Sequence, residues 1–545
     1  MNFLRRSIFS LKENKAAALI TLFVAALPLF TFNCIQGHDI DYHLLRVEAL
    51  KAGILAGQPF LRVNLLFFGG EGYASSMFYP DFLLYIPALL RAAGVGINLS
   101  WHIFVGFCIL AGFFAMYYSM FCITENSAAS MVSAVAFTLC RYHLDDIYTR
   151  AAVGEFSAMI FIPLVIAGLY DLTEKGFKRP WLLGGGLAGV LLCHTLSFMF
   201  CMILCVLVFI IRLPVLVKDP VRLLRLGITA LFTLCVTAFY WLPVIEQILW
   251  TEFKYKDPVF DVNYEKLLLK DIFASSPGRM GIAVFILTFA GLLIKHRGDK
   301  LVRTGDLMLL AGLSFTLCTT GLFPWKRLEG VLYGIQFPWR LFIMASVLLS
   351  MASGIYIGRL SENRERTVVT AVTAFMVIAA LMVINGTETG YYSYSDDYYN
   401  EVKYTNTVIG GEWLPKTVKE RGALGNDPGN AVDSEGKKIA VSRRGGSLSF
   451  SASGESYVDV PFVYYKGYAS LDPSGKELRT DGSGKNGRVR VWDPGTGEIR
   501  VFYKGTALQR FADILSVIAV IMGIVMVWGY YRSSLKDASP LSSSE

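Results

Sequence analysis

Long apolar blocks separated by short polar stretches dominate the first 385 residues. Runs of about 17–25 apolar residues can cross the roughly 30 Å hydrocarbon core of a bilayer as helices. Blocks of this kind lie at 16–36, 101–123, 127–141, 155–171, 226–249, 280–294, 305–322, 340–358, 367–385 and 510–530. The block 181–213 is longer, and as one straight helix it would reach about 50 Å. Lys175, Lys178 and Arg179 precede it, and Arg212, Lys218, Arg222 and Arg225 follow it. Flanking Lys and Arg mark the cytoplasmic side, so this block is expected to cross twice. The break is expected near Cys193-His194-Thr195-Leu196-Ser197, which brings the expectation to about twelve transmembrane helices. With the N-terminus inside, the inner segments carry Lys295, Arg297, Lys300 and Arg303, then Arg359, Arg364 and Arg366, and finally Arg532 and Lys536. Both termini are therefore expected in the cytoplasm.

Two regions depart from this pattern: a long first outer loop at 37–99 and a polar block at 386–508. In the block, Val489, Val491, Ile499, Val501 and Tyr503 alternate with polar residues around Asp493-Pro494-Gly495-Thr496-Gly497, which reads as a β-hairpin. The stretch Tyr457–Tyr464 leads into a second hairpin, turned at Asp472-Pro473-Ser474-Gly475. The expected layout is a membrane domain at 1–385 with about eleven helices, then an extracellular antiparallel β-sandwich at 386–508. A final transmembrane helix at 509–531 and a cytoplasmic tail at 532–545 follow.

Composition sharpens this picture. Of 545 residues, 54% are hydrophobic and only 17% charged, against about 25% charged in an average soluble domain. That excludes a disordered chain and an ordinary cytosolic enzyme. The net charge of +8 comes without an uninterrupted basic run, so nucleic acid is not an expected partner. All nine cysteines lie in or beside apolar blocks and none falls in 386–508, which argues against a disulfide-built outer domain. Arg5, Arg6, Lys12 and Lys15 before the first apolar block resemble a signal peptide. The block ends in Phe32-Asn33-Cys34, however, which fits neither a small-residue cleavage site nor a lipoprotein box, so an uncleaved first span is expected.

The charges that do not flank spans gather at the outer mouth. The densest set is His38-Asp39-Ile40-Asp41-Tyr42-His43, followed by Arg46 and Glu48. Carboxylates at an interface, close to cations, suit a general base or a divalent metal site; the same Asp39 or Asp41 also suits a helix N-cap. In Phe78-Tyr79-Pro80-Asp81 and the apolar residues that follow, tyrosines are typical interfacial anchors, while Asp81 stands at a helix start. The second outer loop holds Arg141, His143, Asp145, Asp146, Arg150 and Glu155. Arg150 can grip a phosphate with its planar fork of donors, or pair with Glu155 to hold the loop. Arg340, in Gln336-Phe337-Pro338-Trp339-Arg340, is a further candidate for phosphate. His194 is the clearest ionisable group at mid-run and a functional candidate by its place alone. No P-loop, no G-x-G-x-x-G with a following acidic partner, no H-E-x-x-H and no G-x-S-x-G motif offers a nucleotide, metal or serine-nucleophile site.

These segments together carry a resemblance. Gly37–Leu50, Arg62-Val63-Asn64, Phe78-Tyr79-Pro80-Asp81, Arg150-Ala151-Ala152-Val153-Gly154-Glu155, Gln336–Arg340 and Pro461–Tyr468 resemble bacterial YfhO-type membrane proteins. They look closest to a subgroup labelled 6-pyruvoyl-tetrahydropterin synthase-related membrane protein, although no pterin synthase domain is visible. The resemblance implies the GT-C superfamily of membrane glycosyltransferases, a bacterial plasma-membrane location and a polyprenyl-phosphate sugar donor. It also implies transfer on the outer face to a cell-surface acceptor such as a lipoteichoic acid-like polymer. By position, Asp39 matches the acidic catalytic residue of the first outer loop. His38, Asp41 and His43 are its candidate acid/base or metal-binding companions, with a divalent metal as a possible cofactor. Arg46, Arg150 and Arg340 are candidates for the donor phosphate, and Asp81, Glu155 and His194 complete the mouth. A transporter or flippase of lipid-linked glycans, which the broken 181–213 block also suits, and a non-enzymatic envelope scaffold are the alternatives.

Overall fold

The structure, a computed structural model, describes residues 2–256, 260–274, 276–294, 299–358, 364–386, 390–397 and 411–536. The inner-loop residues Lys295, Arg297 and Arg359 and the tail from 537 lie outside the described residues.

Among the described residues, seven helices are long and apolar enough to cross a membrane: Ile97–Thr124, Val153–Glu174, Thr195–Leu216, Lys300–Cys318, Pro338–Gly358, Glu365–Asn385 and Ala507–Met526. A pair, Pro220–Val236 and Ala238–Trp250, bends by 71° and counts as an eighth span if read as one. The expectation of about twelve full spans is therefore not met by length and composition. The difference lies in short helices such as Ser127–Thr138, Pro180–Leu191 and Ala283–Leu293. Twelve residues rise only about 18 Å, well short of the apolar core. The first block shows why a long apolar run need not be one helix: Lys15–Ala26 gives way to a tight turn at Leu27-Pro28-Leu29, because proline cannot continue the ladder. The block 181–213 does hold two helices, Pro180–Leu191 and Thr195–Leu216, parted at Leu192-Cys193-His194.

Burial separates the centre of the bundle from its rim. The apolar window of the Pro338–Gly358 span is wholly buried, whereas only 17% of the Thr195–Leu216 window is. An all-apolar helix with bare flanks is stable only against lipid, so the chain is a membrane protein with Pro338–Gly358 at its core.

The first loop supplies a helix at Ile40–Leu55 and another at Tyr85–Ala92. Strand β1 (Cys34–Ile35) pairs antiparallel with β2 (Tyr391–Tyr392), tying the start of this loop to the segment after the Glu365–Asn385 helix. The remaining strands are β3 (Asn430–Asp433), β4 (Lys438–Arg444), β5 (Ser447–Ser453), β6 (Tyr457–Val463), β7 (Tyr468–Leu471), β8 (Glu477–Leu478), β9 (Thr480–Asp481), β10 (Arg488–Trp492) and β11 (Thr496–Tyr503). They form one antiparallel ladder in the order β8-β7-β11-β5-β4-β3-β6-β10-β9. The first half of β4 pairs with β3 and its second half with β5, so β4 is the corner at which the ladder divides into two halves.

This order corrects the hairpin expected around Asp493–Gly497. β10 pairs with β6 and β9, whereas β11 pairs with β5 and β7. The turn carries the chain from one half of the ladder to the other, because each strand finds more extensive partners elsewhere. The turn at Asp472–Gly475 does close a hairpin, between β7 and β8. The β domain is fastened to the first loop by Glu71, which is fully buried and receives Arg488 Nε at 2.8 Å and the Gly425 N–H at 2.8 Å.

Candidate functional site

The site is built first in the backbone. His38 and Asp39 donate their N–H groups to the carbonyls of Thr149 and Arg150, at 3.0 and 2.9 Å. The two outer loops therefore run side by side. Gly37 permits this approach: a Cβ there would lie 2.8 Å from the Ala151 Cβ and 2.9 Å from the Tyr148 carbonyl oxygen. Ala151 itself holds a left-handed backbone (φ +51°), a conformation that costs a residue with a Cβ roughly 1–2 kcal/mol and that clusters at functional sites.

Asp39 occupies the N-cap position of the Ile40–Leu55 helix, yet its side chain makes no capping bond. The carboxylate is exposed, but protein surrounds it closely enough that burial raises its pKa above the ordinary 3.8. Arg150 and then Arg340 act in the opposite direction, as His38 does more weakly, while Glu155 adds to the rise. An accessible carboxylate, unused by the backbone and within the field of two guanidinium groups, suits a general base.

The two arginines are held differently. Arg150 is buried and forks onto Glu155, with Nη2–Oε1 at 2.7 Å and Nη1–Oε2 at 3.0 Å, and it also binds Asp146. Its guanidinium lies over the Trp339 ring at 4.3 Å. Arg340 gives Nε to Glu155 at 3.1 Å and Nη1 to Gln336 Oε1 at 2.8 Å and to the Ile335 carbonyl at 3.0 Å. Its Nη2 has no hydrogen bond among the described residues, and its side chain is 15% accessible against 7% for Arg150. Arg340 thus keeps a terminal nitrogen uncommitted on the more accessible side chain, while two carboxylates occupy both terminal nitrogens of Arg150. Glu155 joins both arginines and accepts the Tyr142 hydroxyl at 2.8 Å.

His194 and Tyr79 close another side. The His194 ring lies 6.1 Å from that of Tyr79, with its Nδ1 on Ser197 Oγ at 2.8 Å. Tyr79 accepts the Gly154 N–H at 3.2 Å, and burial raises the Tyr79 phenol to about 12. Gly154 has no room for a side chain: a Cβ would meet the Tyr79 hydroxyl at 2.4 Å and His194 Cδ2 at 2.9 Å. Asp39, Tyr79, Arg150, Glu155, His194 and Arg340 thus converge from five stretches of chain.

Other expected site residues do not join them. Arg46 is fully buried and its donors are engaged: Nε to Asp81 at 3.0 Å, Nη2 to the Tyr79 and Pro80 carbonyls at 2.9 and 2.8 Å, and Nη1 with His43 Nδ1 at 3.1 Å. It shapes the turn that presents Tyr79 and has no donor left for phosphate, contrary to the expectation from sequence; Asp81 is its counter-ion. His38, Asp39, Asp41 and His43 do not form a ligand set either. His43 faces Arg46, one Asp41 carboxylate oxygen is buried, and the Tyr394 hydroxyl interacts with Asp41. Among the described residues no group of three or more His, Cys, Asp or Glu side chains is placed to hold a metal ion. The residues present therefore do not fit the divalent metal suggested by the spacing of that segment.

Two residues were not apparent from sequence as members of the site. Tyr79 reads as an interfacial anchor, and only the approach of Gly154 reveals its position. Glu412 comes from the segment leading into the β domain; its carboxyl pKa is raised by burial and it interacts electrostatically with Arg421, Arg340 and Asp39. Trp413 beside it stacks on Phe78, 5.1 Å apart and nearly parallel, so this segment covers the first loop. The Pro80-Asp81 turn also borders an apolar cavity of about 320 Å³ lined by Phe82, Tyr85, Leu192, Phe239 and Tyr240.

No protein-family model matches the sequence, and no curated protein matches it. Among solved structures, the chain is similar to the arabinofuranosyltransferase AftD from Mycobacteria, at 14% identity and a TM-score of 0.45, covering 69% of this chain and 27% of that one. A mutant of AftD gives 14% identity, a TM-score of 0.44 and coverage of 68% and 28%. The Archaeoglobus fulgidus oligosaccharyltransferase in complex with Zn and sulfate gives 12% identity and a TM-score of 0.39, covering 75% of this chain and 56% of that one. The chain therefore spans about a quarter of the length of AftD and just over half that of the oligosaccharyltransferase.

Proposed function

We propose that the protein is a membrane glycosyltransferase that moves a sugar from a polyprenyl-phosphate donor to a hydroxyl of a cell-surface acceptor, on the outer face. The observation that carries this reading is the placement of Asp39: an accessible, uncapped carboxylate whose backbone N–H binds the Arg150 carbonyl and which lies within the fields of Arg150 and Arg340. The resemblance of the first loop to YfhO-type proteins supports the same assignment.

In this mechanism the acceptor hydroxyl gives its proton to the Asp39 carboxylate as its oxygen forms a bond to the sugar C1. The bond from C1 to the phosphate oxygen breaks on the opposite face, and polyprenyl phosphate leaves with the electron pair. Such in-line displacement inverts the anomeric centre. Arg340, with Nη2 uncommitted, meets the charge that develops on the phosphate. A guanidinium aimed at developing charge in a partly water-excluded site supplies the main electrostatic part of such catalysis. Arg150 and Glu155 hold the geometry, and the apolar cavity beside Pro80-Asp81 suits the first isoprene units of the donor.

The experiment is transfer of radiolabelled sugar from a polyprenyl-phosphate sugar in proteoliposomes. Asp39→Asn keeps the shape and removes the base, so transfer is expected to fall by about 10²–10⁴-fold with unchanged protein level. Full activity in Asp39→Asn refutes the assignment. Movement of the lipid-linked sugar across the bilayer without a glycosylated product would instead favour a transporter.

A further inference from the structure

A second cavity, of about 380 Å³, lies where the first loop, the β domain and the last helix meet. Its floor is apolar, from Ala49, Ala52, Leu61 and Leu66, and its rim carries Arg510 and Lys504, whose ammonium also pairs with Glu477 at 2.5 Å. Ala52 stands 13 residues along the Ile40–Leu55 helix from Asp39, about 20 Å at helical rise, so this cavity lies away from Asp39, although it shares Phe60, Leu61 and Arg62 with the apolar cavity beside Pro80-Asp81. We infer that it holds the headgroup of an anionic membrane phospholipid, with the phosphate at Lys504 and Arg510 and the glycerol and first acyl carbons on the apolar floor.

Four observations carry this. The cavity opens at the first turns of Ala507–Met526, a helix apolar enough to span the membrane, so its mouth stands at headgroup level. The Arg510 side chain is exposed and has no hydrogen bond or ion pair among the described residues. Tyr468, only 7% accessible, lines the cavity with a buried hydroxyl that has no partner among the described residues. A buried hydroxyl without a partner is rare in a folded protein. Finally, Arg62 ties Asp513 of the last helix to the Phe239 carbonyl across the cavity wall. That cross-tie gives Asp513, which also lines the cavity, its own counter-ion and leaves Arg510 uncommitted, while Lys504 is shared with Glu477. The volume is of the order of small-ligand sites, enough for a phosphate and its glycerol but not for a whole lipid.

The test uses the full chain in nanodiscs of mixed phosphatidylcholine and phosphatidylglycerol, released into native mass spectrometry. The expected result is retention of phosphatidylglycerol on the wild-type protein in preference to phosphatidylcholine. With K504Q/R510Q, retention should be about tenfold or more weaker, as befits the loss of two cation contacts to an anionic headgroup. Ala52→Trp, which fills the cavity without changing charge, is expected to abolish retention. Thermal unfolding in detergent checks that both variants are folded. Equal retention of the two lipids, or retention unchanged in both variants, overturns the inference. Displacement by millimolar inorganic phosphate as effective as that by lipid assigns the site to a free anion and overturns the lipid. Sugar transfer is measured in parallel: loss of lipid retention with Asp39 chemistry intact separates this site from the catalytic one.

Discussion

Gly37→Ala offers a sharp test of the site, because Gly37 touches no reacting group. The added methyl would stand 2.8 Å from the Ala151 Cβ and 2.9 Å from the Tyr148 carbonyl oxygen. Ordinary contact between carbon atoms is about 3.5–4.0 Å, so the two outer loops must separate by roughly 1 Å. The hydrogen bonds from His38 and Asp39 to Thr149 and Arg150 lie immediately beside this point, so the shift falls on Asp39 relative to Arg150. A misplacement of about 1 Å costs on the order of 10²-fold in rate, or about 2.7 kcal/mol of barrier. The assay is single-turnover transfer from a polyprenyl-phosphate sugar at saturating acceptor, with thermal unfolding followed alongside. Ala151→Gly on the same background removes the first clash and leaves the second, so a partial recovery of rate is expected. By itself, Ala151→Gly should raise stability by about 1 kcal/mol, since φ is +51° there. Wild-type turnover in Gly37→Ala would refute the claim that the docking of these loops positions Asp39.

Other outcomes follow from the same geometry. Asp39 must be ionised to act as a base and its carboxyl is raised by burial, so turnover is expected to fall as pH drops through a value above 3.8. Arg340→Gln removes one of the charges that oppose that rise; the acid limb of the pH–rate profile should move to higher pH, together with a lower kcat. An unmoved limb would place Arg340 out of reach of Asp39. Arg46→Met strands the buried Asp81 carboxylate, and breaking a buried pair from one side costs about 3–5 kcal/mol, readable as a large loss of folded protein by thermal unfolding. Glu71→Gln weakens the charged latch from Arg488 and Gly425. It is expected to increase hydrogen exchange at 425 and 488 ahead of global unfolding, and unchanged exchange would show that the β domain is held by other contacts.

The alternation of hydrophobic and polar residues in 457–503 was enough to indicate β structure, because side chains on a strand alternate between faces whatever the strand pairs with. It could not indicate that β10 and β11 lie in different halves of the ladder, since pairing depends on which edges remain open after β4 turns its corner. Similarly, the length and flanking charge of 181–213 implied two helices before any coordinates. The number of full spans was not available in the same way: hydropathy records how apolar a stretch is, while Pro28 and the breaks around short helices decide how far it travels.

The site shows the same division. Asp39, Arg150, Glu155, His194 and Arg340 were distinguishable because a charge is costly in an apolar chain, and a sparse charge needs a reason to be there. Sequence alone determined which residues were expensive. Whether each charge is spent on structure or left for chemistry is a matter of partners. Arg46 and Asp81 neutralise each other around a turn, Arg150 is taken by two carboxylates, and Arg340 keeps a free nitrogen. Those differences arise from residues up to 185 positions apart, as in the Arg340–Glu155 pair, and from a glycine small enough to let two loops meet. Only the tertiary structure decides them, because hydrogen-bond competition is settled by distances of a few ångströms that a linear pattern does not contain.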